Sequence, residues 1–323
     1  MRYIVYGAGA IGGAIGGRLA QHGHDVALLA RGAHHDAIRA RGLELRSPDG
    51  TVVLGTPVAD DPAAFAPKAD DVVVLAMKTQ DTSAALDALV TVADPEVAIV
   101  CAQNGVENER LALRRFPNVY GMCVMLPASH LDPGIVEIYA TPVSGILDVG
   151  RYPEGSDERA ERIAADLDSA TFASRAEADV MSRKYSKLLM NLGNAIEAAC
   201  GAAERVGELY VRALAEAEAC FDAAGIRAAT EDDSDRRTVM KMRPIGGRRR
   251  GGGSSWQSLA RGAGRTEVDH LNGEVVLLGR LHGVATPVNE LLQRTLTAMA
   301  SRGAAPGSLA PEDLLAKLEG DAA

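Results

Sequence analysis

Apolar and polar positions alternate along this chain in two different ways. Up to about residue 178, short apolar runs alternate with segments of helical period, which is the pattern of an α/β domain with a mainly parallel sheet. From about residue 179 to the end, the pattern is that of long helices. We therefore predict two domains, an α/β domain at residues 1–178 and an all-α domain at residues 179–323.

The apolar runs predict a series of short strands in the first domain. They lie at residues 3–6, 24–29, 43–47, 51–54, 71–77, 96–102, 119–125, 134–140 and 143–149. We expect the last three to extend the same sheet as the buried runs before them, the later ones in antiparallel orientation. In the second domain, one helix is predicted at residues 180–200 and another begins at Arg265.

The first strand leads directly into glycines spaced G-x-G-x-x-G, at Gly7, Gly9 and Gly12. Gly7 allows a tight turn, Gly9 lets a pyrophosphate approach the backbone, and Gly12 lets the next helix lie close to the strand. The helix N-terminus adds N–H donors and a partial positive charge. Because a strand precedes the motif and a helix follows it, the pattern predicts Rossmann-type dinucleotide binding. The residues involved are Gly7, Ala8, Gly9, Ala10, Ile11 and Gly12.

The residues after the second predicted strand discriminate between the two nicotinamide dinucleotides. An acidic residue there would bind the adenosine ribose hydroxyls and repel a 2′-phosphate, whereas Arg31 matches a phosphate in geometry and charge. The alternative is an ordinary surface arginine after a strand. We favour the phosphate role, and with it NADP(H) over NAD(H), because of the position of Arg31 relative to the glycines.

Two further buried runs end in polar residues. Residues 71–77 lead into Lys78, and residues 96–102 lead into Gln103 and Asn104. Parallel strands bring their carboxyl ends to one edge of a sheet, where α/β folds bind ligands. Taken separately, Lys78 could be a solvated loop lysine and Asn104 a turn residue before glycine. Taken together at this edge, they favour ligand contact.

The helix predicted at residues 180–200 carries a narrow polar stripe on an otherwise apolar surface. Lys187, Asn191 and Asn194 lie at positions i, i+4 and i+7, while leucine, methionine and isoleucine cover most of the remaining circumference. Buried amide and ammonium groups need polar partners, and a ligand cavity meets that need. The alternative is that Lys187 reaches solvent and the two asparagines bind backbone groups. We favour the cavity.

Three features of the later segments have both a structural and a functional interpretation. Ser254 and Ser255 open a helix, where serines cap the helix or offer hydroxyl groups to a carboxylate. Glu267 fits the ordinary preference for acids in a first helical turn. The arginines and glycines at residues 248–253 predict a mobile loop, and a lid over an anionic ligand is left open as its role.

Composition and charge narrow the range of partners. With 47% hydrophobic and 24% charged residues the chain is typical of globular proteins, and its net charge of −9 argues against general nucleic-acid binding. No apolar run is long enough to span a membrane, and the first strand begins too early to follow a signal peptide. We therefore expect a cytoplasmic protein with reduced cysteines and no membrane contact. The histidines lack a ligand spacing, so we expect no metal.

Taken together, these residues resemble one known family, 2-dehydropantoate 2-reductase, also called ketopantoate reductase. The matching motifs, in chain order, are G-A-G-A-I-G at residues 7–12, Lys78 at its strand end, Gln103-Asn104-Gly105, Lys187-x-x-x-Asn191, and Ser255 followed by Thr266-Glu267-x-Asp269. The resemblance extends from residue 1 to about residue 289. It implies NADPH-dependent reduction of ketopantoate to pantoate, on the route to pantothenate and coenzyme A.

The resemblance also implies roles for single residues. Those assigned to the cofactor are Gly7, Gly9 and Gly12 for the pyrophosphate, Arg31 and Lys78 for the 2′-phosphate, and Asn104 and Glu267 closer to the reacting end. Those assigned to the substrate and the reaction are Lys187 as general acid, Asn191 for the substrate hydroxyl, Ser255 for its carboxylate, Asn194 and Asn104 as further contacts, and Glu267 to complete the site.

The sequence departs from the family pattern near Asn194. In the family a second asparagine usually lies four residues after the first, whereas here Asn194 lies three after Asn191, and Ala195 takes the fourth position. Glu197 also replaces a small or threonine-like residue. Two alternatives therefore stay open: a reductase of a different 2-keto acid on the same scaffold, and a non-catalytic NADPH-binding regulator. The expected partner of the enzyme is a small 2-keto acid, and a homodimer is compatible with the sequence.

Overall fold

The computed structural model describes residues 1–230 and 234–320, which form two units. The sheet unit comprises Met1–Lys184 and the described part of Glu231–Arg250, and the helical unit comprises Tyr185–Thr230 and the described part of Gly251–Ala323. An α/β part with a mainly parallel sheet and a helical second part are thus confirmed. The division into domains 1–178 and 179–323 stays a prediction.

The secondary structure begins with a strand and ends with a helix. The strands are β1 Arg2–Tyr6, β2 Asp25–Leu29, β3 Leu43–Ser47, β4 Gly50–Leu54, β5 Val58–Ala59, β6 Val72–Leu75, β7 Ala98–Cys101, β8 Val119–Met125, β9 Ala128–Ser129, β10 Ile135–Ile138, β11 Ala140–Pro142, β12 Gly145–Arg151, β13 Phe172–Ala173 and β14 Met240–Met242. The helices are α1 Ala10–Gln21, α2 Gly32–Arg41, α3 Thr82–Val90, α4 Asn108–Leu113, α5 Glu158–Ser169, α6 Val180–Asn191, α7 Gly193–Cys200, α8 Glu208–Ala224, α9 Ser234–Thr238, α10 Ser254–Ala260, α11 Asn272–His282, α12 Pro287–Ser301 and α13 Pro311–Gly320. Short 3-10 turns lie at Pro62–Ala64, Thr79–Asp81, Ala202–Val206 and Val268–His270.

The main sheet of the sheet unit has eight strands in the order β13-β12-β8-β7-β6-β1-β2-β5. Its inner strands are parallel, and β12 runs antiparallel to β8, as the sequence predicts. Strands β6 and β7 are buried along their whole length. Their continuous apolar runs therefore follow from helices and loops covering both faces of the sheet.

One predicted strand belongs to a different sheet. The run at residues 134–140 is expected to extend the main sheet, but β10 pairs with β3 and β9 in a four-stranded sheet of order β4-β3-β10-β9. The prediction was wrong because β10 is fully buried on one face only: Val136 and Ile138 are fully buried, and Ile135 and Glu137, which alternate with them, are half-buried. Such a strand suits a sheet with one solvated face.

Helix α1 contacts both sheets, and its paired glycines make this contact close. A Cβ atom at Gly12 would lie 2.8 Å from Val5 Cγ1 of the main sheet. A Cβ atom at Gly13 would lie 2.7 Å from Val136 Cγ2 of the four-stranded sheet. The next pair, residues 16 and 17, repeats the arrangement one turn later. The paired glycines of α1 therefore allow close packing on two sides of the helix.

The polar stretch at residues 230–253 contains a short helix and a short strand where the structure describes it. Residues 231–233 lie outside the described residues, α9 and β14 follow them, and β14 pairs antiparallel with β11. Arg236 donates hydrogen bonds of 2.7 and 2.8 Å to both carboxylate oxygens of buried Asp148 in β12. Ile245 and Arg248 exchange backbone hydrogen bonds. The segment is thus joined to the sheet unit.

The helical unit has its own core, in which α7 is buried from Gly193 to Ala199. The helix predicted at residues 180–200 is interrupted at Leu192, whose N–H is shared between the carbonyl oxygens of Leu188 and Leu189. The helix predicted from Arg265 starts later, because a 3-10 turn at Val268–His270 precedes α11. Within the described residues, no helix combines the length and apolarity needed to cross a membrane.

Candidate active site

The glycine loop at the end of β1 has the geometry that its spacing predicts. Gly7 has a φ of +99°, and a Cβ atom there would lie 2.7 Å from the Met77 backbone nitrogen. At Gly9, in contrast, a Cβ atom would meet nothing closer than His130 Cδ2, at 4.0 Å. The backbone is therefore crowded at the turn and open at the second glycine. An open backbone with unpaired N–H groups at a helix start fits a dinucleotide pyrophosphate.

The other candidate residues of the sheet unit follow strands that neighbour β1. The order β7-β6-β1-β2, with all four strands parallel, brings Asn104, Lys78, the glycine loop and Arg31 to the same edge. Arg31 is exposed and directly precedes α2, and half-buried Lys78 precedes the turn Thr79–Asp81. Strand topology thus assembles one set of candidates, and their binding roles stay predictions.

A buried polar network joins the two loops that carry Lys78 and Asn104. The Gln103 amide donates to the Met77 carbonyl oxygen at 3.0 Å and to Thr82 Oγ1 at 2.7 Å. The Asn108 amide donates to Thr79 Oγ1 at 3.1 Å and to the Asn104 carbonyl oxygen at 3.2 Å. Thr82 Oγ1 in turn donates to Asn108 Oδ1 at 2.8 Å. These contacts hold the Met77 and Asn104 backbone and the Thr79 side chain, and so the residues on both sides of Lys78.

In the helical unit the predicted polar stripe lies on one face across the α6–α7 junction. Asn191 and Asn194 are buried, and the Asn194 amide donates to Asn191 Oδ1 at 3.4 Å. Lys187, one turn earlier on α6, is half-buried. The two asparagines therefore contact each other, and Lys187 precedes them on the same helical face.

The start of α10 is held by a residue of α7. Buried Glu197 accepts a hydrogen bond from the Gly253 N–H at 3.1 Å and forms an ion pair with Arg205 at 2.5 Å. Gly253 precedes α10, and no side chain caps the helix, so the capping alternative for the two serines is excluded. Ser255, in the first turn of α10, is buried. Its contact with a substrate carboxylate stays a prediction.

The glycine run before α10 has a packing cause. A Cβ atom at Gly252 would lie 2.5 Å from Trp256 Cγ and 2.9 Å from Glu197 Oε1, and one at Gly251 would lie 2.9 Å from Trp256 Cζ3. The backbone therefore passes directly over the indole ring and the carboxylate. The composition that predicts a mobile loop is explained here by close approach of the backbone to two side chains.

Glu267 is buried and directly precedes the turn Val268–His270. The sequence suggests an exposed acid in the first turn of a helix. Glu267 instead is buried and lies before α11, which starts at Asn272. Its partnership with Lys187 and its contacts to cofactor and substrate stay predictions.

Comparison with known proteins decides the family. The model of ketopantoate reductase PanE/ApbA matches residues 3–154, and the model of its C-terminal domain matches residues 179–300. A 2-dehydropantoate 2-reductase of Halobacterium salinarum is 30% identical over 303 residues, covering 89% of this chain and 95% of the relative. One of Mesorhizobium japonicum is 31% identical over 320 residues, covering 89% and 94%. This chain belongs to the ketopantoate reductase family.

As a member of the ketopantoate reductase family, the chain is an oxidoreductase that acts on CH–OH groups of a small molecule. Solved structures agree on the Rossmann-type fold. A ketopantoate reductase from Ralstonia eutropha superposes with a TM-score of 0.79 at 27% identity, covering 94% of this chain and 99% of that one. D-mandelate dehydrogenase, solved with NADH and anilino(oxo)acetate, has the same fold, with a TM-score of 0.80 at 20% identity and coverages of 94% and 99%.

A buried ion pair of the sheet unit was not predicted from the sequence. Lys184 donates hydrogen bonds to Glu109 Oε1 and, at 3.2 Å, to the Gln103 carbonyl oxygen. Both charged side chains are almost completely buried. Burial raises the pKa of Glu109, and the Lys184 ammonium opposes this rise. The pair therefore contacts the backbone just after β7, at the residue whose side chain binds Met77 and Thr82.

Helical periodicity contains a signal for this pair. Lys184 lies four residues from both Val180 and Leu188, which are fully buried, so it falls on the apolar face of α6. Glu109 shares a face with buried Ala112 in α4. A charge at an apolar position of a helix indicates a buried partner of opposite sign.

Proposed function

We propose that this protein reduces a 2-keto acid with NADPH, and that the keto acid is ketopantoate. One observation carries the proposal: the open glycine loop and two cations, Arg31 and Lys78, follow neighbouring parallel strands at one sheet edge. An edge with backbone donors and positive charges suits a phosphorylated dinucleotide. The relatives named 2-dehydropantoate 2-reductase support the choice of substrate.

The preference for NADPH over NADH rests on Arg31. It directly follows β2 and Ala30, and no carboxylate stands at the end of that strand. A guanidinium binds a 2′-phosphate through paired hydrogen bonds, and it has no comparable partner on an unphosphorylated ribose. The glycine loop, Arg31 and Lys78 would therefore hold the cofactor.

The reaction needs one proton and a fixed carbonyl group. When bound, a reduced nicotinamide supplies a hydride to the carbonyl carbon. Lys187 donates a proton to the carbonyl oxygen as it becomes an alkoxide. Asn191 binds that oxygen as the product hydroxyl, and Ser255 binds the carboxylate, so the carbonyl is held in one orientation. Glu267 orients Lys187 or binds a substrate hydroxyl.

A second candidate keeps this chemistry and changes the keto acid. Glu197 and Ala195 occupy positions where the family pattern has other residues. The Glu197 carboxylate accepts a hydrogen bond from the Gly253 N–H, and Gly253 also lies close to the Asn194 side chain. The D-mandelate dehydrogenase with the same fold is named for a different 2-hydroxy acid. Membership of an enzyme family disfavours the third alternative, a non-catalytic regulator.

Two measurements test the proposal. The first follows loss of reduced cofactor with NADPH or NADH and a panel of 2-keto acids that includes ketopantoate and benzoylformate. We expect the highest kcat/KM for NADPH with ketopantoate. A higher kcat/KM for another keto acid would replace the substrate, and equal rates with NADH would remove the role of Arg31.

The second measurement compares Lys187→Ala with Lys317→Ala, an exposed lysine of α13 in the same unit. Loss of a general acid lowers kcat by about 10²- to 10⁴-fold, whereas the control keeps the wild-type kcat. A loss of less than about tenfold would remove Lys187 as the acid. The homodimer and the cytoplasmic location stay predictions, and light scattering would decide the first.

A further inference from the structure

Two histidines of the sheet unit lie against the glycine loop. His34, in the first turn of α2, has its Nε2 atom 2.7 Å from the Ala8 carbonyl oxygen and its Nδ1 atom 2.9 Å from the Gly134 backbone nitrogen. Because a backbone N–H can only donate, Nδ1 must accept and carries no proton. The ring proton is therefore on Nε2, which donates to Ala8. The two backbone contacts together select one neutral tautomer.

The second histidine packs against the first. The rings of His34 and His130 have their centroids 4.0 Å apart, with 47° between their planes. His130 Nδ1 lies 3.0 Å from the Ile135 carbonyl oxygen, which can only accept, so this nitrogen carries a proton. Burial and the neighbouring imidazole lower the pKa of His34 to about 4. The neutral tautomer is therefore the one present near neutral pH.

The hydrogen bond from His34 to the Ala8 carbonyl oxygen determines the direction of the Gly9 N–H. In a planar trans peptide the carbonyl oxygen and the following N–H point to opposite sides, so a donor on the Ala8 oxygen directs the Gly9 N–H away from His34. The first half of the loop is held separately, since the Gly7 and Ala8 N–H groups both donate to the Leu29 carbonyl oxygen at 3.0 Å. Without His34, the Ala8–Gly9 peptide loses the contact that orients it.

The direction of the Gly9 N–H matters because the loop is open at Gly9. A Cβ atom at Gly9 would have no neighbour closer than 4.0 Å, and that neighbour is the His130 ring. The N–H of the second glycine is one of the donors that a pyrophosphate meets at the start of such a helix. The histidine pair thus contacts the loop at the Ala8 carbonyl oxygen, next to this donor.

We infer that His34, supported by His130 and by the Gly134 N–H, is a positioning residue for the cofactor pyrophosphate and acts through the Ala8–Gly9 peptide. The inference rests on the proposed binding of a nicotinamide dinucleotide. His130 and Gly134 lie next to β9 and β10 of the four-stranded sheet. That sheet therefore contributes to cofactor binding by holding the histidine that orients the loop.

Substitutions of His34 by glutamine and asparagine test the inference, because the two amides differ in length and only glutamine can restore the hydrogen bond to Ala8. In His34→Gln the amide nitrogen reaches about as far as Nε2 and can still donate to Ala8. In His34→Asn the amide ends near the position of Nδ1, keeping a partner for Gly134 but not for Ala8. The control is His35→Gln, because the neighbouring His35 faces Asp36 at 3.1 Å. The readouts are the dissociation constants of NADPH and of 2′-AMP, which has the 2′-phosphate but no pyrophosphate.

We expect His34→Ala and His34→Asn to weaken NADPH binding by about tenfold, since one oriented hydrogen-bond donor is lost. Their affinity for 2′-AMP stays within about twofold of wild type. His34→Gln restores most of the NADPH affinity, and His35→Gln has no effect. In turnover assays the KM for NADPH rises while kcat and the KM for the keto acid stay unchanged.

Other outcomes overturn the inference. Wild-type affinity for NADPH in both His34→Ala and His34→Asn, or equal losses for NADPH and 2′-AMP, would show that the Ala8 contact does not act on the pyrophosphate while leaving the proposed function intact. Failure of the wild-type protein to bind NADPH or NADH would remove the proposed function and the inference together. Thermal midpoints measured without ligand identify any variant that is unfolded. If His34→Ala is unfolded, the NADPH affinity of His34→Asn tests the inference, because this variant keeps the Gly134 contact and loses only the Ala8 contact.

Discussion

The two units of this chain hold their candidate residues by different means. In the sheet unit, buried side chains bind backbone carbonyl groups at the strand ends: Gln103 binds Met77, and Lys184 binds Gln103. In the helical unit, side chains on one helix bind each other or the start of the next helix, as Glu197 binds the Gly253 N–H. The first arrangement fixes loops to a rigid sheet, whereas the second depends on how helices pack.

The two units differ most clearly in the burial of their ion pairs. Lys184 and Glu109 are almost completely buried, whereas Arg205, the partner of Glu197, has 34% of its side chain exposed. Removal of Lys184 leaves the buried charge of Glu109 without compensation, whereas removal of the Glu197 charge leaves Arg205, which solvent reaches. An ion pair should therefore contribute much more to stability in the sheet unit than in the helical unit.

The largest expected effect is on stability in the sheet unit. Lys184→Met leaves Glu109 buried without its cation and should lower the free energy of unfolding by about 3–5 kcal/mol. The double variant Lys184→Met/Glu109→Leu should recover most of this loss, because no buried charge remains. Denaturant unfolding of both variants and of Glu197→Gln, which leaves the partly exposed Arg205, measures the effect. A loss in Glu197→Gln as large as in Lys184→Met would break the comparison.

The second effect is smaller and lies in the helical unit. Glu197→Gln removes the ion pair with Arg205 and weakens the acceptor for Gly253, at a cost of about 1–2 kcal/mol. Since Ser255 lies two residues after Gly253, the KM for the keto acid should rise by about three- to tenfold while the KM for NADPH is unchanged.

Steady-state kinetics against both substrates measure this split. The matched control is Glu208→Gln, which removes an exposed i,i+4 pair with Arg212. An equal rise in both KM values would indicate a general loss of folding rather than a displaced Ser255.

The smallest effect is a pH dependence of the sheet unit. The pKa of His34 is lowered to about 4 from an ordinary value of 6.5. Its neutral form therefore stabilises the fold fully above pH 6.5, and this contribution is lost as the pH falls towards 4. At pH 5 the loss should be about 1 kcal/mol, because solvent reaches the half-buried ring.

Thermal midpoints at pH 7 and pH 5 in wild type and His34→Gln measure this contribution. The variant should lose less stability than wild type over this range, since glutamine does not titrate. An equal loss in both proteins would assign the pH dependence to other groups.

Most of the sheet unit could be predicted from local pattern. The fully apolar runs at β6 and β7 identify strands buried on both faces, and parallel pairing then brings Lys78 and Asn104 to one edge. The four-stranded sheet could not be predicted, because the choice of partner for β10 depends on the distant β3. His34 was missed for the same reason, since Ala8 and Gly134 lie 26 and 100 residues away in the chain.

The sequence by itself determined the α/β and helical parts, the dinucleotide loop and the polar stripe of α6 and α7. Each of these follows from short-range spacing, which sets the direction of neighbouring side chains along a strand or helix. Only the tertiary structure decided that Lys184 and Glu109 form a pair, that Glu197 holds the start of α10, and that glycines 251 and 252 pass over Trp256. These contacts join residues that are far apart in the chain, and burial makes them matter because it removes the water that would otherwise satisfy the same polar groups.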